Sequence, residues 1–256
     1  MLDKKKNYRL LLTEELAAVG DTKAMLEMSR WYIDHKSGEL SEGKGNVING
    51  YLLELASSDE IDGDDRKTAM LLLGIMYYLG RGVHQSYVEA VSWYEKAADK
   101  LDSYGLCNLG YCYYYGRDIP KDYEKAFSCF SQSALLNNSN AMYKLGDMFD
   151  RGYHVNEDKD AAFYWYQEAR SYCSNFEDES PSIDFRLGKC YSRGHGVEQD
   201  LFTALKMLQS AEARFFEQIE AGDPFAELTL PYVKEEIDHV RSLIYSESRV
   251  VSFYEQ

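Results

Sequence analysis

Residues 69–83 read Ala-Met-Leu-Leu-Leu-Gly-Ile-Met-Tyr-Tyr-Leu-Gly-Arg-Gly-Val, and residues 89–98 read Glu-Ala-Val-Ser-Trp-Tyr-Glu-Lys-Ala-Ala. In the first part Ala69, Leu73 and Tyr77 recur at helical intervals, with Gly74 beside Leu73, and the pattern stops at Gly80 and Gly82. That describes one amphipathic helix and its end. In the second part Ala90, Tyr94 and Ala97 share a face, so a second helix carries an aromatic flanked by small residues. Small residues let paired helices approach to roughly 8 to 10 Å between axes, which places Gly74, Ala90 and Ala97 at the crossing, with Leu73, Tyr77 and Tyr94 beside it.

The unit is copied along the chain. Leu73-Gly74 recurs as Leu109-Gly110, Leu145-Gly146 and Leu187-Gly188, at steps of 36, 36 and 42 residues. Tyr77 becomes Tyr113, Phe149 and Tyr191; Ala90 becomes Ala126, Ala162 and Ala204; Tyr94 becomes Phe130, Tyr166 and Leu208. The glycine stop recurs as Gly116, Gly152 and Gly194, and Ser86, Asp122, Asp158 and Asp200 stand where a short oxygen-bearing side chain caps the second helix. A period of this length signals hairpins that bury their apolar faces only by stacking, with polar caps at the ends.

At these residues the chain resembles the Sel-1-like repeat family, a longer-looped relative of the tetratricopeptide repeat. The pattern is Ala-x3-Leu-Gly-x2-Tyr-x2-Gly-x-Gly-Val followed by Asp-x3-Ala-x2-Trp-Tyr-x2-Ala-Ala, and the resemblance covers about residues 20 to 230. It implies an all-α fold, a right-handed superhelix of antiparallel helix pairs acting as an adaptor or scaffold for protein partners. It carries over no catalytic residue.

The expected organisation is a single solenoid: a cap helix within 1–20, a degenerate repeat at 21–66, repeats at 67–103, 104–139, 140–179 and 180–221, a partial repeat and cap helix at 222–247, and a tail at 248–256. In the cap, Leu11, Leu12, Leu16 and Ala17 are expected to face the first pair. In the degenerate repeat Ala24, Met28, Ser29 and Tyr32 hold the places of Ala69, Leu73, Gly74 and Tyr77, a loop runs from His35 to Gly45, and Leu52, Leu53 and Ala56 mark the second helix. The acidic run Ser58 to Asp65 lacks the spacing of a calcium loop and reads as a solvated link that supplies a helix N-cap. The insertion Cys173 to Ser182 reads as a surface loop. Residues 201–220 form a long helix, and Asp223-Pro224 suits the start of the next. Pro231 is expected to kink or restart that helix.

A net charge of -15 disfavours nucleic acid and anionic membranes, and favours basic or mixed-charge protein partners. No apolar run is long enough to span a membrane. The start lacks a signal-peptide core, and Cys107, Cys112, Cys129, Cys173 and Cys190 fall at unrelated repeat positions without the paired cysteines of some secreted relatives. Free thiols in a reducing compartment, the cytoplasm, are the expectation.

No cofactor is implied and no enzyme is expected. None of the five histidines stands beside a nucleophile, and His84, His154 and His195 fall in successive loops too far apart for one zinc ion. Gly80-Arg81-Gly82 and Gly194-His195-Gly196 are turn glycines that follow no strand, so no phosphate loop is read there.

Residues on the first helices that the repeat does not require mark the candidate partner surface. They are Ile75 and Tyr78, then Tyr111, Tyr114 and Tyr115, then Tyr143, Asp147, Asp150 and Arg151, then Phe185, Lys189 and Arg193. The related arrays place such positions on a concave face, which here would grade from tyrosine-rich to charged. Asp147 and Asp150 are expected to select basic side chains, and Arg151, Lys189 and Arg193 an acidic end or terminal carboxylate. Tyrosine and arginine are common binding hot spots, although the same tyrosines could instead pack between hairpins. A small-molecule or glycan-binding module is the alternative, and a hydrolase a third.

Overall fold

The computed structural model describes residues 12–34, 42–173, 180–221 and 223–254. Among them there is no strand. The helices are α1 (residues 12–18), α2 (Thr22–Asp34), α3 (Glu42–Ser57), α4 (Gly63–Leu79), α5 (Tyr87–Ala98), α6 (Ser103–Tyr115), α7 (Tyr123–Leu135), α8 (Ser139–Arg151), α9 (Lys159–Ser171), α10 (Pro181–Arg193), α11 (Leu201–Glu220) and α12 (Pro224–Tyr254). The chain forms two compact units, residues 1–133 and 134–256.

Each repeat uses one set of local signals. α4, α6, α8 and α10 end on Gly80, Gly116, Gly152 and Gly194, all left-handed, with φ between 65° and 67°. Glycine takes that conformation without the clash that a Cβ brings. The following turn is closed by one recurrent bond, from the amide of Ser86, Asp122, Asp158 or Asp200 to the carbonyl of Tyr77, Tyr113, Phe149 or Tyr191, each 3.0 Å. Those same four side chains then cap the second helix as expected: Ser86 accepts from Glu89 N, Asp122 from Lys125 N, Asp158 from Ala161 N, and Asp200 from Phe202 N and Thr203 N. A cap of this kind contributes about 1 kcal/mol. Three of these first helices, α4, α6 and α8, are capped too, by Asp62 from the acidic run, Asp102 and Asn138, whereas Ser180 before α10 makes no such bond.

The helix crossing differs in one detail from the expectation. The Leu-Gly glycine is not simply a point of close backbone approach; it seats the large side chain of the second helix. A Cβ at Gly74 would meet the Tyr94 ring, at Gly110 it would lie 2.6 Å from Cε1 of Phe130, at Gly146 it would meet the Tyr166 ring, and at Gly188 it would lie 2.7 Å from Cγ of Leu208. Backbone approach occurs between repeats instead, where a Cβ on Gly105 would lie 2.7 Å from that of Ala97.

In the first unit Tyr32, Ile48, Leu52, Leu55, Leu73 and Met76 make one core, and Tyr94, Leu109 and Cys112 continue it in a second cluster. Ala24, Met28, Ser29 and Tyr32 are buried as expected, and the Ser29 hydroxyl donates to Met25 O. In the cap helix Ala17 and Thr13 are buried while Leu12 and Leu16 are exposed, so the inward face is one residue round from that expected; Leu11 lies outside the described residues. α3 begins at Glu42, so the first loop is shorter than expected, and its buried face carries Ile48, Leu52 and Leu55, with Leu53 turned outward.

In the second unit α8 pairs with α9, α10 with α11, and α11 packs on α12. Residues 174–179 of the expected insertion lie outside the described residues, and α10 starts at Pro181, inside the stretch read as a loop. α12 neither stops nor restarts at Pro231 and continues through Tyr254, absorbing most of the expected tail. Pro231 removes one donor, and the carbonyl left over belongs to Glu227. Both residues are exposed, so water can satisfy that group while Leu230, Val233 and Ile237 bury the opposite face.

Candidate functional site

The twelve expected partner-binding residues separate into two groups, one in each unit. In the first unit Ile75 is half-buried and touches both core clusters. Tyr111 stacks on Tyr115 with ring centroids 6.1 Å apart. Tyr114 is only 6% exposed and meets the rings of Tyr115, Tyr123 and Phe130 edge-on. It is a packing residue of its own hairpin, contrary to the expectation that it faces a partner, because the Tyr123 and Phe130 rings of α7 occupy its faces. Tyr115 is 43% exposed. Tyr78, Tyr87 and Tyr115 surround the Arg117 guanidinium, each ring centroid within 5.8 Å of Cζ, and Arg117 also donates to the Tyr87 hydroxyl. Burial pushes the Tyr78 hydroxyl above its ordinary pKa.

In the second unit Asp147 is 4% exposed and fully engaged. Arg186 reaches across from α10 and donates through Nε to Oδ1 and through Nη2 to Oδ2, the latter at 2.7 Å. Lys144 Nζ lies 3.3 Å from Oδ2, and the Tyr166 hydroxyl donates to Oδ1 at 3.0 Å. Burial alone would raise the Asp147 pKa, but the Arg186 and Lys144 charges outweigh it and hold the carboxyl well below the ordinary range. The expectation that Asp147 selects a partner's basic side chain is therefore corrected: the chain's own cations take its charge. Tyr143 is buried with the Arg186 guanidinium 4.9 Å from its ring centroid, so it too serves packing.

Two further buried acids tie this unit together. Asp184 on α10 pairs with Arg170 of α9 and accepts from Ser210 of α11 at 2.8 Å. Glu236 on α12 accepts from Ser192 at 2.9 Å and Arg193 at 2.6 Å. The acids are buried while both arginines are partly exposed, and the contacts link α10 to α9 and α11 through Asp184 and to α12 through Glu236.

Above the Asp147 cluster lies a cavity of about 130 Å³. It brings together Asp147, Asp150, Arg151, Phe185, Lys189 and Arg193, six of the expected residues, and adds Lys159, Tyr166, Arg186, Cys190 and His195, which the sequence reading missed. A signal for Arg186 was present: it stands just before Leu187-Gly188, where the second repeat has Leu72, and the preceding copy has Lys144 there, a second cation in a core row. Lys159 donates to both the carbonyl and the carboxylate of Asp150, at 2.6 and 3.0 Å, and also pairs with Glu157. Lys189 has no ion-pair partner among the described residues. Burial, then the Arg193 charge, lowers its pKa, with Glu236 and Asp150 opposing. The Cys190 thiol is pushed up to about 12 by burial, which leaves it protonated and unreactive.

Among the described residues no three histidine, cysteine or acidic side chains come together as a metal site, and no helix is long and apolar enough to cross a membrane. The residues at the cavity offer charge and shape for holding a polar group.

The recurring hairpins and their shared caps define an all-α helical-repeat solenoid. Comparison with known proteins gives it a family: the model described as Sel1 repeat matches residues 67–100, 103–138, 139–171 and 184–214, and the chain belongs to that family, whose members generally mediate protein-protein interactions. No curated protein matches the sequence. Among solved structures, it is similar to c5321, a protective antigen of uropathogenic Escherichia coli displaying an SLR fold, with 23% identity and a TM-score of 0.60 over 88% of this chain and 51% of the other. The chain thus spans about half the length of that antigen. It is also similar to a Sel1 repeat protein from Oxalobacter formigenes, at 24% identity, TM-score 0.53, covering 74% and 71% of the two chains. A Klebsiella pneumoniae protein described as a sel1 repeat protein matches at 17% identity and TM-score 0.51, covering 90% and 98%. At these identities the likeness speaks for the fold.

Proposed function

We propose that this chain is a non-enzymatic interaction scaffold of the cytoplasm that binds a segment of a partner protein on the second unit, at the rim formed by Asp150, Arg151, Phe185, Lys189 and Arg193. The observation that carries this reading is the convergence of residues the repeat does not need on one cavity with mixed charge and an aromatic edge. The cavity, at about 130 Å³, is well below the roughly 300 Å³ at which pockets for whole small molecules begin, which favours a protruding group of a larger partner over a free metabolite or glycan. Free cysteines support a reducing compartment.

The test is capture from native lysate followed by titration. Phe185→Ala removes the aromatic edge; it is expected to weaken the complex by about 1 to 4 kcal/mol while circular dichroism stays helical. Equal affinity of parent and variant for the captured protein would move the interface elsewhere, and the exposed Tyr115 of the first unit would be the next residue to examine.

A further inference from the structure

The cations at the cavity are not equivalent. Arg186 is committed to Asp147, Lys159 to Asp150 and Glu157, and Arg193 to Glu236 through one of its two terminal nitrogens. Lys189 differs. It sits half-buried on α10, its Nζ 5.6 Å from the Phe185 ring centroid, with no carboxylate within ion-pair distance among the described residues. The ammonium still reaches solvent but meets no carboxylate of the described residues within ion-pair distance, so its charge is open to a negative group arriving from the cavity. In a chain of net charge -15, such a cation beside Arg193 and Arg151 is a local reversal of sign.

We infer that the cavity is a carboxylate-binding site in which Lys189, flanked by the remaining donors of Arg193 and by Arg151, receives the acidic group of a bound protein segment. The inference rests on the scaffold reading and specifies what its partner presents. One cation without an ion pair among the described residues, Lys189, matches one negative charge. The room also suits it: about 130 Å³ holds a carboxylate and a few waters. The carboxylate forms a charge-assisted bond with Lys189, and the free side of the Arg193 fork adds a second. The fixed pairs Arg186–Asp147 and Arg193–Glu236 hold the donors in place before the ligand arrives.

The carboxylate has two sources, an Asp or Glu side chain or a chain terminus. Both are tested on the full chain by nuclear magnetic resonance, following the Lys189 side chain and the α10 amides. Sodium acetate, at ionic strength matched with sodium chloride, should shift these signals saturably, and neutral acetamide should not. Lys189→Gln should weaken the response at least tenfold with an unchanged thermal melt, and Lys189→Arg should restore it. Acetyl-Gly-Tyr-Gly-Glu should then bind more tightly than acetate. If its amidated form binds equally the side chain is the group recognised, and if amidation abolishes binding it is the terminus.

No saturable acetate shift, or an unchanged response in Lys189→Gln, overturns the inference. So does inorganic phosphate binding more than tenfold tighter than acetate, and so does acetate binding with neither peptide binding. The scaffold reading is judged separately: loss of the captured partner in Phe185→Ala with no acetate response leaves the scaffold and removes this site. An acetate response with capture unaffected does the reverse.

Discussion

The Tyr166 ring rests against the backbone at Gly146, and its hydroxyl donates to Oδ1 of the next residue, Asp147, at 3.0 Å. One aromatic side chain therefore reads two adjacent positions of α8, requiring no side chain at the first and a charge at the second. The same seat recurs without the polar partner at Gly110 and Phe130, and at Gly188 and Leu208.

Gly146→Ala should thus destabilise by about 1 to 3 kcal/mol, because the ring must move and its hydrogen bond to a buried carboxylate moves with it. Gly50→Ala is the internal control, since nothing lies within 4 Å of a Cβ there and the helix should gain about 0.5 to 1 kcal/mol. Thermal melts of the two variants that shift in the same direction would remove the ring-seat argument.

Asp147 sets an acid limit. Its folded carboxyl is held below the ordinary range while the unfolded one titrates near about 4. A depressed carboxyl contributes stability above the unfolded value and loses it as pH falls toward the folded one. Denaturant midpoints should therefore drop progressively below about pH 4. Asp147→Asn, which leaves Arg186 and Lys144 facing a neutral amide, should cost about 3 to 5 kcal/mol at pH 7 and flatten that acid slope. An equally steep slope in the variant would place the acid-sensitive group elsewhere.

Pro231→Ala restores a backbone donor to the Glu227 carbonyl in an unbroken helix and removes a ring from an exposed position. Interior proline disfavours a helix by about 3 kcal/mol, of which solvation of the freed carbonyl recovers part. The melting temperature should rise. A fall would mean that the proline ring makes a contact the helix depends on.

Thiol reactivity should follow burial. Cys112, Cys129 and Cys190 are pushed up to about 12, about 11 and about 12, in each case chiefly by burial, and Cys107 is buried as well. Cys173 is half-buried, its Sγ donating to Ala169 O at 3.3 Å. Ellman's reagent at pH 8 should label one thiol in the native protein, identified as Cys173 by peptide mapping, and the other four only on unfolding. Rapid labelling of Cys112 or Cys190 would contradict the packing around them.

The repeat hairpins were legible in the amino-acid sequence because their determinants are local and recur in four copies. Gly80 and its equivalents end a helix through their own φ, and Ser86 and its equivalents cap the next within three residues, so spacing alone locates both. Continuation of α12 through Pro231 was not legible, since a proline reads as a break unless the carbonyl it orphans is known to face water. The partner surface divides the same way. The positions not needed by the repeat could be named, and six of them do meet at one cavity, but the sequence alone could not tell which are spent within the protein. Asp147 and Lys189 occupy one repeat position and read alike as exposed charges. Only the tertiary structure, by bringing Arg186 and Tyr166 onto the first and no carboxylate within ion-pair distance of the second, made one a buried structural link and the other a cation lining the cavity, because a charge is satisfied by what lies a few ångströms away and not by its neighbours along the chain.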